Sequence, residues 1–155
     1  MAWIFQGNPT HFNIDEYLAR NPRFIYWRVN RYRLEVMVGD RAFIWRALPE
    51  SGGIVASGRV AEAPVQKSKV AHPEALADDL WAGAPVADND EMKVGIALDS
   101  VRLSAAEGMV HNSVVRGDPL LRESSIIRMP TGTVFRLTEH ELKRIEELWR
   151  IAYEP

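Results

Sequence analysis

The feature that most restricts the fold of this chain lies at its C-terminal end. Thr138 and Glu141 make the pattern of a capping box, Leu137 is placed to staple across the cap to Leu142, and Leu142, Ile145, Leu148, Trp149 and Ala152 recur on one helical face. A helix with a single apolar face must bury that face, and the chain offers no second long helix to receive it. The remaining sequence breaks into short apolar runs separated by turn residues. The partner is therefore a sheet, and the fold class is α+β.

The strands can be read from those runs. Met1-Ala2-Trp3-Ile4-Phe5 begins the chain as a strand and ends at Gln6-Gly7-Asn8-Pro9. Asn13 then has the form of an N-cap, with Glu16 three positions on and Phe12 and Tyr17 placed as a staple, so a short helix is expected to Arg20, stopped by Asn21-Pro22. Phe24 to Val29 reads as extended chain. Asn30 to Val38 is expected to make one or two helical turns, with Tyr32, Leu34 and Met37 facing inward. Arg41 to Ala47 and Gly53 to Val60 form a hairpin, in which Gly53 and Gly58 mark a sharp bend or a close backbone approach.

Residues 64–92 form a long irregular insertion containing Pro64, Pro73, Pro85 and an isolated Trp81, with a helix expected from Pro73 to Leu80. Val94 to Leu103 is a further strand, and Ser104-Ala105-Ala106-Glu107 has the pattern of a capped short helix. Pro119 to Arg122 adds a turn. Pro130-Thr131-Gly132 turns into a last strand from Thr133 to Leu137. This order predicts a small mixed β-barrel flanked by short helices, with the C-terminal helix packed on the sheet and residues 1–155 forming one domain.

Composition closes off several functions. A chain of 155 residues with 46% hydrophobic side chains buries roughly 70% of its unfolded surface, enough for one core without staples. It has no cysteine, so disulfides and thiolate zinc sites are excluded. His11, His72, His111 and His140 each stand alone, which leaves no metal motif and no cofactor to expect. No apolar run approaches the ~20 residues of a membrane span. The N-terminal apolar stretch lacks a basic leader, which places the chain in the cytoplasm. His111-Asn112-Ser113 has no general base at a recognisable spacing and reads as an ordinary surface or hinge segment, and Ser51-Gly52-Gly53 reads as a hairpin turn.

One window combines charge with flat rings. Arg20, Arg23, Arg28, Arg31 and Arg33 alternate with Phe24, Tyr26, Trp27 and Tyr32, and no acid intervenes. Arginine forks suit phosphates, and exposed rings stack on bases. The alternative is a strand with buried aromatics and solvated arginines. The net charge of −2 argues against duplex binding by bulk neutralisation, so any nucleic-acid contact is local and pocket-based.

Tyr26-Trp27-Arg28-Val29-Asn30-Arg31-Tyr32, Val38-Gly39-Asp40-Arg41-Ala42-Phe43-Ile44-Trp45-Arg46 and Gly53-Ile54-Val55-Ala56-Ser57-Gly58 together resemble an EVE domain of the PUA-like superfamily. Gly117-Asp118-Pro119-Leu120, Arg128-Met129-Pro130 and the terminal Leu137-Thr138 helix resemble the end of the same family. EVE domains are similar in fold to YTH domains, whose aromatic side chains clamp a methylated base. The resemblance implies that Trp27 is the first wall of such a cage, that Gln6, Gly7 and Asn8 meet the base edge, and that Trp81 falls near the second wall. Longer-tailed EVE proteins of animals have Lys-Ser-Glu-Pro where this chain has Gln6-Gly7-Asn8-Pro9.

The expected function is a non-enzymatic reader of modified DNA or RNA, with Asn30 as a further polar contact to the base and Arg28, Arg31 and Arg33 on the phosphates. A protein-interaction module of a defence or RNA-processing system is an alternative, with a protein partner. A third is an amide hydrolase, as some related ASCH domains act on acetylated cytidine. That activity needs a lysine with an acid partner in the pocket, and Lys67, Lys69, Lys93 and Lys143 all lie outside the regions expected to line it.

Overall fold

Strand β1 (Ala2–Gly7) has both faces covered: Ala2, Trp3, Ile4 and Phe5 are all buried. A computed structural model describes residues 1–82, 90–129 and 131–154. After β1 come α1 (Ile14–Arg20), β2 (Phe24–Arg28), β3 (Arg41–Arg46) and β4 (Gly53–Gln66). Three 3-10 turns then lead to β5 (Met92–Val101), β6 (Val110–His111), α2 (Asn112–Gly117), α3 (Ser125–Arg128), β7 (Val134–Leu137) and α4 (Glu139–Tyr153). The strands form one sheet in the order β2-β5-β4-β3-β1-β7, with β6 paired to β4. β1 and β3 are parallel, and every other pairing is antiparallel.

Period-2 alternation assigns the two faces of the sheet. Trp3, Phe5, Ala42, Ile44 and Val134 join Ile14, Tyr17 and Leu18 of α1 in one apolar cluster. Ala2, Ile4, Phe43, Trp45, Phe135 and Leu137 join Ile145 and Trp149 of α4 in the other. The C-terminal helix therefore packs on the sheet as its apolar stripe requires. Its capping box is complete: Glu141 N donates to Thr138 Oγ1 at 3.1 Å and Thr138 N donates to Glu141 Oε1 at 2.9 Å. Arg102 clamps the far end by donating to the Trp149 carbonyl, with its guanidinium 3.8 Å from the Trp149 ring.

The sheet is not closed into the expected barrel. β4 bends through irregularities at Ser57/Gly58, Val60/Glu62 and Glu62/Val65. Gly58 meets β5 so closely that a Cβ there would lie 2.1 Å from the Ala97 carbonyl oxygen, and at Gly53, with φ +146°, a Cβ would lie 2.1 Å from that of Val110. Curvature is thus present, but β2 and β7 are the two ends of the ladder and do not pair with each other among the described residues. Side chains span the gap instead. Trp27 Nε1 donates to the Gln6 carbonyl at 3.2 Å, and Thr133 Oγ1 bonds Asn30 Oδ1 at 2.5 Å.

Three helical expectations also change. Residues 30–38 form turns, not a helix, because Tyr32 takes φ +58° and interrupts the helical path. Val36 points inward there, while Leu34 and Met37 are exposed. Ala77, at φ +50°, splits the expected 73–80 helix into two short 3-10 turns, Pro73–Ala75 and Asp78–Leu80. At Ser104, Glu107 N bonds back to the Ser104 hydroxyl, but Gly108 at φ +98° ends the segment after one turn. α2 and α3 were not anticipated. Residues 83–89, with Pro85 of the insertion, and Pro130 of the expected turn lie outside the described residues. No helix among the described residues is long and apolar enough to cross a membrane.

The turn at 30–40 is fastened to β1 by Asp40, whose Oδ2 accepts from Trp3 Nε1 at 2.8 Å and from Met37 N at 2.9 Å. Partial burial pushes this carboxyl upward, but the hydrogen bonds outweigh it and its pKa falls below the ordinary 3.8. As pH falls, the unfolded chain takes up the proton first. The stability Asp40 contributes should thus be fully present above about pH 4 to 5 and fade through the lowered value. Asp40→Asn should be less stable than the parent at pH 7 in urea titrations, and the difference should shrink below pH 4.

Candidate functional site

The seam between the two ends of the sheet holds a cavity of about 460 Å³. This lies within the roughly 300–1,000 Å³ usual for small-molecule sites. Three pieces of chain wall it: the end of β1 at Gln6, Gly7 and Asn8, the end of β2 at Tyr26, Trp27 and Arg28, and the 131–133 loop before β7. Phe12, Trp81 and Lys93 complete the lining that matters chemically.

Gly7 lets the two tryptophan-bearing segments approach. A Cβ at this position would lie 2.7 Å from Trp27 Cζ2 and 2.8 Å from Ile14 Cδ1, so the Trp27 ring lies against the bare backbone of β1. Its indole is 7% exposed, held by the bond to the Gln6 carbonyl, and belongs at once to the core and to the cavity wall. Trp81 also lines the cavity. Its ring packs on Phe12 with centroids 4.7 Å apart and planes tilted by 59°, and its backbone bridges Phe12. Phe12 in turn meets Tyr17 edge-on at 5.1 Å. The helix start supplies this platform: Asn13 Oδ1 accepts from Glu16 N, while Asn13 N goes to the Leu80 carbonyl, so the second half of the capping box is exchanged for a tie to the Trp81 segment.

Polar groups occupy the rim. The Gln6 side chain donates to the Gly132 carbonyl at 2.6 Å, and Gln6 N donates to the Thr133 carbonyl, so Gln6 fixes the 131–133 loop. Asn8 Oδ1 holds Thr10 through N and Oγ1, which shapes the turn out of β1. Tyr26 is buried, accepts at its oxygen from His72 N at 3.0 Å and donates to Glu62. Desolvation, with the Glu62 bond added, pushes its hydroxyl up to about 12. It stays protonated across any physiological range.

Of the residues singled out from the sequence, the fold brings Trp27, Trp81, Gln6, Gly7, Asn8 and Arg28 around this one cavity. Asn30 is exposed and does not line it, because its side chain is bonded to Thr133. Arg31 and Arg33 are exposed and outside the lining, with Arg31 over the Tyr32 ring at 5.1 Å. Arg28 is tied at the rim to Glu91 at 3.0 Å.

Lys93 corrects the expectation that no lysine enters the pocket. The strand begins at Met92 and not at Val94, because β4 continues to Gln66 and pairs with it there. That register sets Lys93 opposite Arg28 of β2, inside the cavity wall. Its ammonium is 3.2 Å from Glu91 Oε2 and 5.7 Å from the centre of the Trp81 ring. Burial, partly offset by Glu91, pulls its pKa below the ordinary lysine value. The one sequence signal was that Lys93 directly precedes a strong strand, and strand ends are the least certain feature of a sequence. Among the described residues no group of three or more His, Asp or Glu could hold a metal ion.

The sequence matches the EVE domain family over residues 1–148. No curated protein matches significantly. Among solved structures, a hypothetical protein from Leishmania major shares 13% identity at a TM-score of 0.69, covering 99% of this chain and 96% of that one. The DUF55 domain of human thymocyte nuclear protein 1 shares 12% identity at a TM-score of 0.67, covering 97% and 99%. Human THYN1 protein in complex with 5-methylcytosine containing DNA shares 13% at 0.62, covering 99% and 98%. At such identities the likeness is one of fold.

The contact of Gly7 with Trp27 is a direct target. Gly7→Ala should overpack the wall and cost about 1–3 kcal/mol, read as a lower urea midpoint with an unchanged slope. The tryptophan emission should shift as Trp27 is displaced.

Proposed function

Because this chain belongs to the EVE domain family, we propose that it binds nucleic acid carrying a methylated base, and that the base leaves its stack to enter the cavity between Trp27 and Trp81. The observation that carries the reading is a cavity lined by two indoles, Trp27 and Trp81, together with polar groups. A methyl group adds apolar, polarizable surface, so a dry aromatic slot gains from it, while donors and acceptors at the rim check the base edge. The binding of 5-methylcytosine DNA by a protein of the same fold supports the same reading.

The exposed arginines fit around this slot. Asn30, bonded to Thr133, fastens the start of the 30–38 turn to the cavity rim. Arg31 and Arg33 leave from that turn into solvent, where they would meet phosphates on either side of the extruded base. Arg28, engaged by Glu91, contributes less to phosphate binding and more to the shape of the wall.

A second reading has one observation in its favour. The Lys93–Glu91 pair at 3.2 Å is the lysine with an acid partner that an amide hydrolase of acylated bases would need. Glu91 is already shared with Arg28, so the pair is built as an ion network at the wall. Incubation with N4-acetylcytidine, followed by chromatography, decides between them: acetate release abolished by Lys93→Met establishes the hydrolase, and no turnover leaves the reader.

Trp81 is the cleaner wall to remove, since Trp27 is also core and its loss would cost about 3–5 kcal/mol of stability. Trp81→Ala should stay folded and bind a 5-methylcytosine oligonucleotide roughly 5- to 150-fold more weakly, with a smaller loss for the unmodified strand. Fluorescence anisotropy measures both, and equal losses would place the base elsewhere. Replacing Arg31 and Arg33 together with alanine should lower the slope of log affinity against log salt by about 1 to 2. An unchanged slope would leave the two arginines as a solvated face.

A further inference from the structure

The charges in the cavity wall bear on which bases it takes, an inference that rests on the reader function proposed above. The Lys93 side chain is 7% exposed and lines the cavity. An ammonium has three N–H donors. The described residues give Lys93 one acceptor, Glu91 Oε2. Glu91 can do little more for it, because its other oxygen is held by Arg28 at 3.0 Å. Asp78, the other carboxylate nearby, is paired with Lys67 at 2.9 Å. The Trp81 face at 5.7 Å adds electrostatic attraction but accepts no ordinary hydrogen bond. Lys93 therefore brings to the cavity wall more donors than its one carboxylate partner takes up, beside indole faces that accept none.

Donors that face the cavity are free to meet whatever fills it, and a base that brings an acceptor to that place keeps a hydrogen bond it would otherwise lose on leaving water. We propose that Lys93 is the base-edge donor of the cavity, and that it selects oxo bases, which present an exocyclic carbonyl oxygen, over adenine. Cytosine offers O2 and guanine O6. Adenine has no exocyclic carbonyl and accepts only at its ring nitrogens, and an ammonium that approaches N1 or N7 also meets the neighbouring exocyclic amine, donor against donor. N6-methylation leaves that conflict in place. The indole walls reward a methyl group on any base, so the rings supply the preference for modification and Lys93 supplies the choice among bases.

The test uses the whole chain and two fluorescein-labelled single strands of one sequence, with a single central 5-methylcytosine or N6-methyladenine. The parent protein should prefer the 5-methylcytosine strand by about tenfold or more. Lys93→Met keeps the length of the side chain, removes a buried charge and leaves Glu91 to Arg28, so its melting temperature should not fall. It should bind the 5-methylcytosine strand roughly 10- to 150-fold more weakly and the N6-methyladenine strand almost as before. Should Lys93→Met fail to fold, Lys93→Leu, neutral and without a donor, gives the same comparison. A parent that prefers N6-methyladenine, or a folded Lys93 variant that keeps the parent's preference, overturns the assignment of Lys93 and leaves the reader standing if Trp81→Ala still loses affinity. A parent that binds neither strand better than unmodified DNA, with Trp81→Ala unchanged, removes the reader function and this inference with it.

Discussion

Burial of β1 on both faces is the constraint from which the other features follow. Trp3, Ile4 and Phe5 are fully buried, with Trp3 and Phe5 turned to one apolar cluster and Ile4 to the other. The strand also pairs on both sides, in opposite senses: parallel to β3 and antiparallel to β7. The parallel pairing needs a long crossover, and residues 8–40 supply it with α1, β2 and the 30–38 turn. That crossover carries β2 to the far end of the sheet while its last residues stay beside the end of β1. The cavity lies where the two come together.

An open seam also explains why the site is both apolar and charged. Where strands pair, backbone groups satisfy each other and side chains fill the space between layers. At the seam no ladder exists, and Trp27, Gln6, Asn30 and Thr133 make the connection instead. Side-chain bridges leave space between them. Apolar surface that would have been core becomes wall, and Lys93, which would be costly in a closed core, is tolerated beside Glu91 and Arg28. A protein with a net charge of only −2 can thus present positive charge locally, at one mouth.

Parts of this were visible in the residues. The complete capping box at Thr138, the hairpin of β3 and β4, and the close approaches at Gly53 and Gly58 follow from local patterns that tertiary contacts merely use. The 30–38 segment misled because Leu34 and Met37 have the spacing of an inward face, while Tyr32, packed on Trp3 at 5.2 Å, takes a positive φ and Val36 is buried instead. Helix patterns at 73–80 and 104–107 failed for a related reason. Each gives one good turn, and a second would require Ala77 or Gly108 to abandon its positive φ.

The sequence alone determined the class of fold, because an amphipathic helix among short strands has few ways to bury its face, and it pointed by resemblance to Trp27 and the Gln6–Asn8 segment. Tertiary structure decided whether the sheet closes, where Trp81 stands and that Lys93 lies inside. These depend on pairings between residues far apart in the chain: Phe12 with Trp81, Gln66 with Met92, Arg28 with Lys93. A strand shows its faces through alternation over a few residues. Its register against a distant strand is set by the packing of the whole sheet, and a shift of one residue would turn Lys93 from the cavity to the opposite face.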